Sequence, residues 1–175
     1  MHLDVENFYK VLAPRPVVLV STVDSEGRVN AAPFSFVMSV SMNPPLVAFA
    51  SGHDRDTLVN IRETKEFVVN IPSKELVEKV VFCGTTSGRN TDKFKETGLT
   101  AIPARKVKPP LIKECITHLE CKLYASYEAG DHTIFIGEVV AVTVNEGIER
   151  EGVLDAEKAE TISHRGRFYY LPKLF

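Results

Sequence analysis

The feature that most constrains this fold is a pair of long strand-like runs, Cys115–Tyr127 and His132–Asn145, on either side of Gly130-Asp131. In the first run Cys115, Thr117, Leu119, Cys121, Leu123, Ala125 and Tyr127 share one face. Ile116, His118, Glu120, Lys122, Tyr124 and Ser126 share the other. A period of two describes a half-buried strand, not a helix. In the second run Ile134, Ile136, Val140, Val142 and Val144 alternate with Phe135, Gly137, Val139 and Ala141. A strand apolar on both faces needs cover on both, which a barrel wall meeting a second subunit would supply. A hairpin this long, with no regular strand–helix alternation, argues against a doubly wound sheet. It predicts a mainly β, antiparallel barrel with short appended helices.

The stretch from Arg15 to Val40 adds a second hairpin. Pro16–Val23 is rich in β-branched residues. Asp24-Ser25-Glu26-Gly27 reads as its turn, and Arg28–Ala32 as the return strand, which Pro33 ends. A polar and aromatic corner follows. Asn30 and Ser35 bring hydrogen-bonding side chains, and Phe34 and Phe36 bring flat apolar surface. Such a corner suits a flat, polar-edged ligand, or forms a hairpin end plugged by aromatic rings.

Elsewhere the pattern predicts an N-terminal helix ended by Pro14 and Pro16, and a rigid turn at Asn43-Pro44-Pro45. Leu46–Ala50 and Glu66–Ile71 read as strands. Leu58–Thr64, capped by Asp56 or Thr57, and Lys74–Cys83, capped by Ser73, read as helices. Gly84–Thr91 reads as a polar loop. Asn90 or Thr91 then caps a short helix that Gly98 ends. Residues 99–114 look irregular, residues 146–165 look like a surface excursion, and Arg167–Pro172 form an aromatic tail. No repeat or linker divides residues 1–175, so one domain is expected.

Composition narrows the function classes. The formal net charge is -2, so no basic field draws nucleic acid. No apolar run reaches the roughly 20 residues of a membrane span, and no signal pattern opens the chain, so a cytoplasmic location is expected. Cys83, Cys115 and Cys121 form no CxxC pair and read as core residues. The five histidines show no metal-ligand spacing, so no metal is assigned.

Three groups of residues can carry chemistry. Arg55-Asp56-Thr57 and Arg89-Asn90-Thr91-Asp92-Lys93 sit at two helix starts, where N–H groups, a hydroxyl and two cations suit a phosphate. They also read as ordinary caps with solvated basic residues. His132 follows the Gly130-Asp131 turn, where it can donate a hydrogen bond or relay a proton, or serve as a histidine held by a carbonyl. Phe168-Tyr169-Tyr170 can stack on a planar ligand or pack on the core. P-loop, GxGxxG and GxSxG patterns are missing.

Together RPVVLVSTVDSEGRVNAAPFSF, DRDTLVNIRETKEFVVNIPS, GRNTDKF and GDHTIFIGEV make the chain resemble the flavin reductase-like family over roughly residues 5–170. These are FMN-binding split barrels that include flavoredoxin. The resemblance implies a Greek-key split barrel, a homodimer and bound FMN. It places Asn30 and Phe36 beside the isoalloxazine, and Ser51, Thr57 and Arg55 at the ribityl chain or phosphate. Arg89, Asn90 and Lys93 would complete the phosphate site, His132 would face the ring, and Tyr169 would lie close. The implied activity is flavin reduction by NAD(P)H, a transient donor, with electrons passed to an acceptor. The alternative is a flavoredoxin-type carrier exchanging electrons with a redox protein. A barrel with no redox role is a third reading.

Overall fold

The computed structural model describes residue 2, residues 4–165 and residues 168–171. A short 3-10 turn, Val5–Asn7, leads into α1 (Phe8–Val11). Then come β1 (Arg15–Pro16), β2 (Val18–Val23), β3 (Val29–Phe34), β4 (Val37–Met42) and β5 (Pro45–Gly52). After them lie α2 (Asp56–Thr64), β6 (Glu66–Ile71), α3 (Val77–Thr85) and α4 (Lys93–Thr97). β7 (Ala101–Ile102) and β8 (Leu111–Ile112) precede the long β9 (Thr117–Ala129) and β10 (His132–Val144). The chain closes with β11 (Glu149–Arg150), β12 (Val153–Leu154), α5 (Ala156–Ala159), β13 (Ser163–Arg165) and β14 (Phe168–Tyr170).

Seven antiparallel strands form the main sheet in the order β3-β2-β6-β9-β10-β5-β4. Its two edge strands are consecutive in sequence, joined only by Ser35 and Phe36. The Ala50 N–H donates to the Phe36 carbonyl at 2.9 Å. The edges therefore meet at this corner and diverge beyond it, which makes a split barrel. Pro33 does not end β3, as the sequence suggested, because β3 is an edge strand, where a missing N–H is tolerated. β4 was not expected as a strand.

The barrel interior is aromatic. Phe49, Phe67 and Phe135 are each no more than 1% exposed, and fully burying one such ring is worth about 2 kcal/mol. Phe49 lies 5.3 Å from Phe67 and 5.6 Å from Phe135, centroid to centroid. Gly137 makes this packing possible. A Cβ there would lie 2.9 Å from Phe67 Cε1 and 3.0 Å from Cys121 Cβ. A second core forms outside the barrel, where Leu76, Val80, Cys83 and Phe94 pack on Val17, Leu19 and Ala31. β2 is buried along its whole length because its alternate residues feed the two cores.

The face of β9 expected to be solvated is partly covered. His118 is 2% and Glu120 0% exposed, because Val107 and Leu111 pack over that face of the sheet. Cys83, Cys115 and Cys121 are all buried. Desolvation drives the thiols up, that of Cys121 to about 12. The aromatic tail extends at both ends, Arg167 and Pro172, beyond the described residues. No helix among the described residues is long and apolar enough to cross a membrane.

Candidate functional site

Where the barrel splits, a cleft of about 1010 Å³ opens, at the upper end of the ~300–1,000 Å³ typical of small-molecule sites. One wall is the β3–β4 corner, from Asn30 to Phe36. The others are the end of β5 with the start of α2, the C-terminal end of α3 with the residues after it (Cys83–Ser87), and Asp131-His132 at the mouth of β10. Tyr9, Arg15, Lys93 and His164 complete the lining.

Lys93 is the deepest cation. It is the first residue of α4, which Asp92, not Asn90 or Thr91, caps by accepting from the Lys95 N–H at 3.1 Å. The Lys93 side chain turns inward, and the residue is 5% exposed. Its Nζ donates to the carbonyls of Ala31 (2.9 Å) and Cys83 (3.0 Å). Among the described residues no carboxylate lies within ion-pair distance of it. Burial lowers its pKa from the ordinary lysine value, partly offset by Cys83 and Asp56 nearby.

α2 starts beside it. Arg55 occupies the N-cap position without capping through its side chain. The first N–H groups and their partial positive charge therefore stay available. The expectation that Asp56 or Thr57 caps this helix is corrected. Asp56 is its first residue, and its carboxylate instead holds the neighbouring turn. It accepts from Ser87 Oγ (3.1 Å) and the Gly88 N–H (3.0 Å), and pairs with Arg89 Nε at 2.6 Å. Thr57, fully buried, accepts a hydrogen bond from Asn30 Nδ2 at 3.4 Å. Asn30 is 5% exposed, and its Oδ1 takes no hydrogen bond among the described residues. A Cβ at Gly88 would sit 2.5 Å from that oxygen, so any larger residue there would displace the Asn30 side chain.

At the other end Phe36 lies between two partners. The Arg15 guanidinium carbon is 5.3 Å from its centroid, and the His132 ring 5.6 Å at 33°. His132 Nδ1 meets Asp131 Oδ1 at 2.6 Å, and that contact lowers the Asp131 pKa.

Of the residues expected from sequence, the cleft brings together Asn30, Ser35, Phe36, Arg55, Thr57, Lys93 and His132. It does not bring in Ser51, which is 1% exposed between the cleft-lining Ala50 and Gly52. Strand alternation turns its side chain to the opposite face. Arg89 is drawn off by Asp56 into a neighbouring depression. Asn90 is exposed in the turn beyond it. Tyr169 stands behind the wall, against His164 (5.3 Å between centroids) and the outer core. The sequence pointed to no role for Arg15, and to a helix cap, not a tie to the Ser87–Arg89 turn, for Asp56. Each is recognisable only once distant groups are placed beside it.

The flavin reductase like domain model matches residues 11–169. The chain belongs to the flavin reductase-like family. A relative in Archaeoglobus fulgidus, an uncharacterized protein, is 40% identical over 144 residues, 82% of this chain and 80% of its own. Among solved structures, the flavoredoxin of Desulfovibrio vulgaris (Miyazaki F) is 33% identical. It superimposes with a TM-score of 0.87, covering 93% of this chain and 88% of that one. Nitrilotriacetate monooxygenase component B from Bacillus cereus is 30% identical, with a TM-score of 0.88 and coverage of 99% and 94%. As in the other flavin reductase-like proteins, the architecture is a mainly β antiparallel split barrel.

Proposed function

We propose that the cleft binds FMN and that the protein is a flavin oxidoreductase, with NADH or NADPH as transient donor. The observation that carries this is Lys93, a buried cation in the cleft wall whose hydrogen-bond partners among the described residues are two carbonyls. A phosphate supplies the charge it lacks. The residues present fit the group. Lys93, Thr57, Arg55 and the first N–H groups of α2 would hold the phosphate. Asn30 and Ser35 would hydrogen-bond along the wall, and Phe36 would bound the ring end. FMN, when bound, supplies the hydride and single-electron chemistry. The chain contributes position and protons. With its Nδ1–H given to Asp131, His132 turns Nε2 to the ligand's edge, an acceptor in the neutral ring and a donor in the imidazolium form.

The likeness to a flavoredoxin favours a second reading, in which a redox protein replaces the nicotinamide nucleotide. A homodimer is part of the proposal. β4 is an edge strand with Met38 64%, Val40 42% and Met42 97% exposed, an apolar rim of the kind a second subunit covers.

The test is an absorption spectrum of the purified protein, followed by anaerobic NADH and then NADPH. Flavin bands that bleach with either establish the reductase and name its donor. Bands that bleach only with a reduced ferredoxin establish the carrier. A colourless protein that rejects added FMN sinks both.

A further inference from the structure

The cleft holds a second buried cation that the cofactor reading does not use. Arg15 is 9% exposed and lines the cleft. Its Nη1 donates to the carbonyls of Tyr9 and Leu12, the latter at 2.6 Å, and its Nε reaches Ser35 Oγ at 3.4 Å. No carboxylate among the described residues lies within ion-pair distance. The two carbonyls take the Nη1 hydrogens but bring no negative charge, and an uncompensated charge is costly away from water. Capping α1 does not account for that cost. α1 is a four-residue helix with Phe8 60% and Val11 63% exposed, so it contributes little that needs protecting. The acidic residues at the same rim are already engaged, Asp131 with His132 at 2.6 Å and Asp54 with Arg55 at 3.4 Å.

The two cations are far apart. Lys93 is anchored at Ala31 and Arg15 at Ser35. The rest of β3 beyond Ala31 and the step on to Ser35 separate these anchors by roughly 13 Å at strand spacing. A single phosphate cannot touch both. Beside Arg15 stands a flat surface, Phe36 flanked by His132, with the guanidinium fixed against the ring.

We propose that Arg15 is the anion-binding pole for the second substrate, a planar molecule carrying a carboxylate or phosphate group. This rests on the reading that Lys93 takes the cofactor's phosphate. The shared chemistry has two sources, an aromatic carboxylate acceptor and the diphosphate of a nicotinamide dinucleotide.

The experiment uses FMN-loaded protein. Benzoate and its neutral analogue benzamide are titrated by flavin difference spectra, and the KM for NADH is measured at several salt concentrations. Benzoate is expected to bind at least tenfold more tightly than benzamide, or the NADH KM to fall steeply as salt is lowered. In Arg15→Gln the responding arm weakens at least tenfold, mainly in Kd or KM and not in kcat, and Arg15→Lys recovers part of it. The FMN Kd stays within about threefold. Whichever arm moves names the source. The proposal is overturned if benzoate and benzamide bind alike and the NADH KM ignores both salt and Arg15→Gln. It is also overturned if Arg15→Gln weakens FMN as much as Lys93→Gln does, since Arg15 then serves the cofactor. The benzoate–benzamide contrast on the unaltered protein needs no variant to fold. If the unaltered protein rejects FMN, the cofactor reading fails by itself, and calorimetry of benzoate on the same protein still decides for or against Arg15.

Discussion

Two buried polar clusters lie on the same barrel and are finished differently. Under residues 105–112 the polar groups are spent on the protein itself, except Glu120 Oε1, which takes no hydrogen bond among the described residues and lies 3.9 Å from Arg105 Nε. Asn70 Nδ2 donates to Leu19 O (3.0 Å), Ser21 Oγ (2.9 Å) and Val68 O (3.2 Å). Its Oδ1 accepts from the Ile112 N–H (3.0 Å) and lies 2.9 Å from His118 Nδ1. Ser21 Oγ donates to the Pro110 carbonyl at 2.6 Å. Glu120 Oε2 accepts from the Arg105 and Lys106 N–H groups at 3.0 and 2.6 Å. In the cleft, by contrast, Lys93 and Arg15 are buried with no carboxylate among the described residues at ion-pair distance. The first cluster is a fastener that closes the covering segment onto the sheet. The second carries charge the fold does not use, which is the mark of a ligand site.

The largest expected effect tests the fastener. Asn70→Leu removes five hydrogen-bond contacts at once and leaves the Ile112 N–H and His118 without their acceptor. The unfolding free energy should fall by about 3 kcal/mol or more, measured by urea denaturation. FMN affinity should be unchanged in the protein that remains folded. A loss under about 1 kcal/mol would break the contrast from one side.

Lys93→Gln tests the other side. The amide can still donate to one of the two carbonyls, so stability should move by less than about 1 kcal/mol. FMN affinity should fall roughly 10- to 100-fold, the worth of one charge-assisted contact. Because burial lowers the Lys93 pKa, the binding cation is lost as pH rises toward a value below the ordinary ~10.4 of lysine. FMN titrations should weaken through that alkaline range in the unaltered protein and not in Lys93→Arg, whose charge persists. A Lys93→Gln protein that binds FMN normally but unfolds readily would move Lys93 into the fastener class.

These clusters also show what could be read in advance. β6 matched its expected span, Glu66–Ile71, because a short apolar run bounded by Pro72 has few alternatives. Arg55, Thr57, Lys93 and His132 reached one cleft because helix starts and a strand mouth are local signals. The burial of His118 and Glu120 was not legible, since the covering Val107 and Leu111 give no alternation to follow. Ser51 missed the cleft by one residue of strand parity, which the sequence alone does not register against its neighbours. Arg15 needed Tyr9, Ser35 and Phe36 assembled around it before its charge stood out.

His118 gives the fastener a pH signature. Burial lowers its folded pKa below the ~6.5 of an unfolded histidine, despite an opposing pull from Glu120. Between the folded and unfolded values the unfolded chain binds more protons, so stability rises with pH there. The contribution is fully present above pH ~6.5 and is lost as pH falls below it, with a slope of at most about 1.4 kcal/mol per unit. Urea midpoints from pH 7.5 to 5 should decline in the unaltered protein. A replacement that does not titrate, His118→Gln, should flatten that decline. An equal slope in both would assign the acid sensitivity elsewhere.

The smallest effect belongs to a third polar cluster, at the tip of the β2–β3 hairpin. Arg28 pairs with Asp24 at 2.6 Å and with Glu26 at 2.8 Å, so on paper it makes better contacts than Arg15. Its side chain is 73% exposed, however, and water competes for every one of those contacts. Asp24 also accepts from the Glu26 and Arg28 N–H groups at 3.0 and 2.9 Å, and Gly27 takes the positive φ of 83° that the turn requires. The turn therefore keeps its backbone bonds when the guanidinium is gone. Arg28→Ala should leave the thermal midpoint within measurement error at physiological salt, and FMN affinity untouched. A clear drop in the midpoint would mean that pairing, and not burial, sets the worth of a polar group in this fold. The distinction between the fastener and the cleft would then have to be redrawn on the number of bonds each group makes.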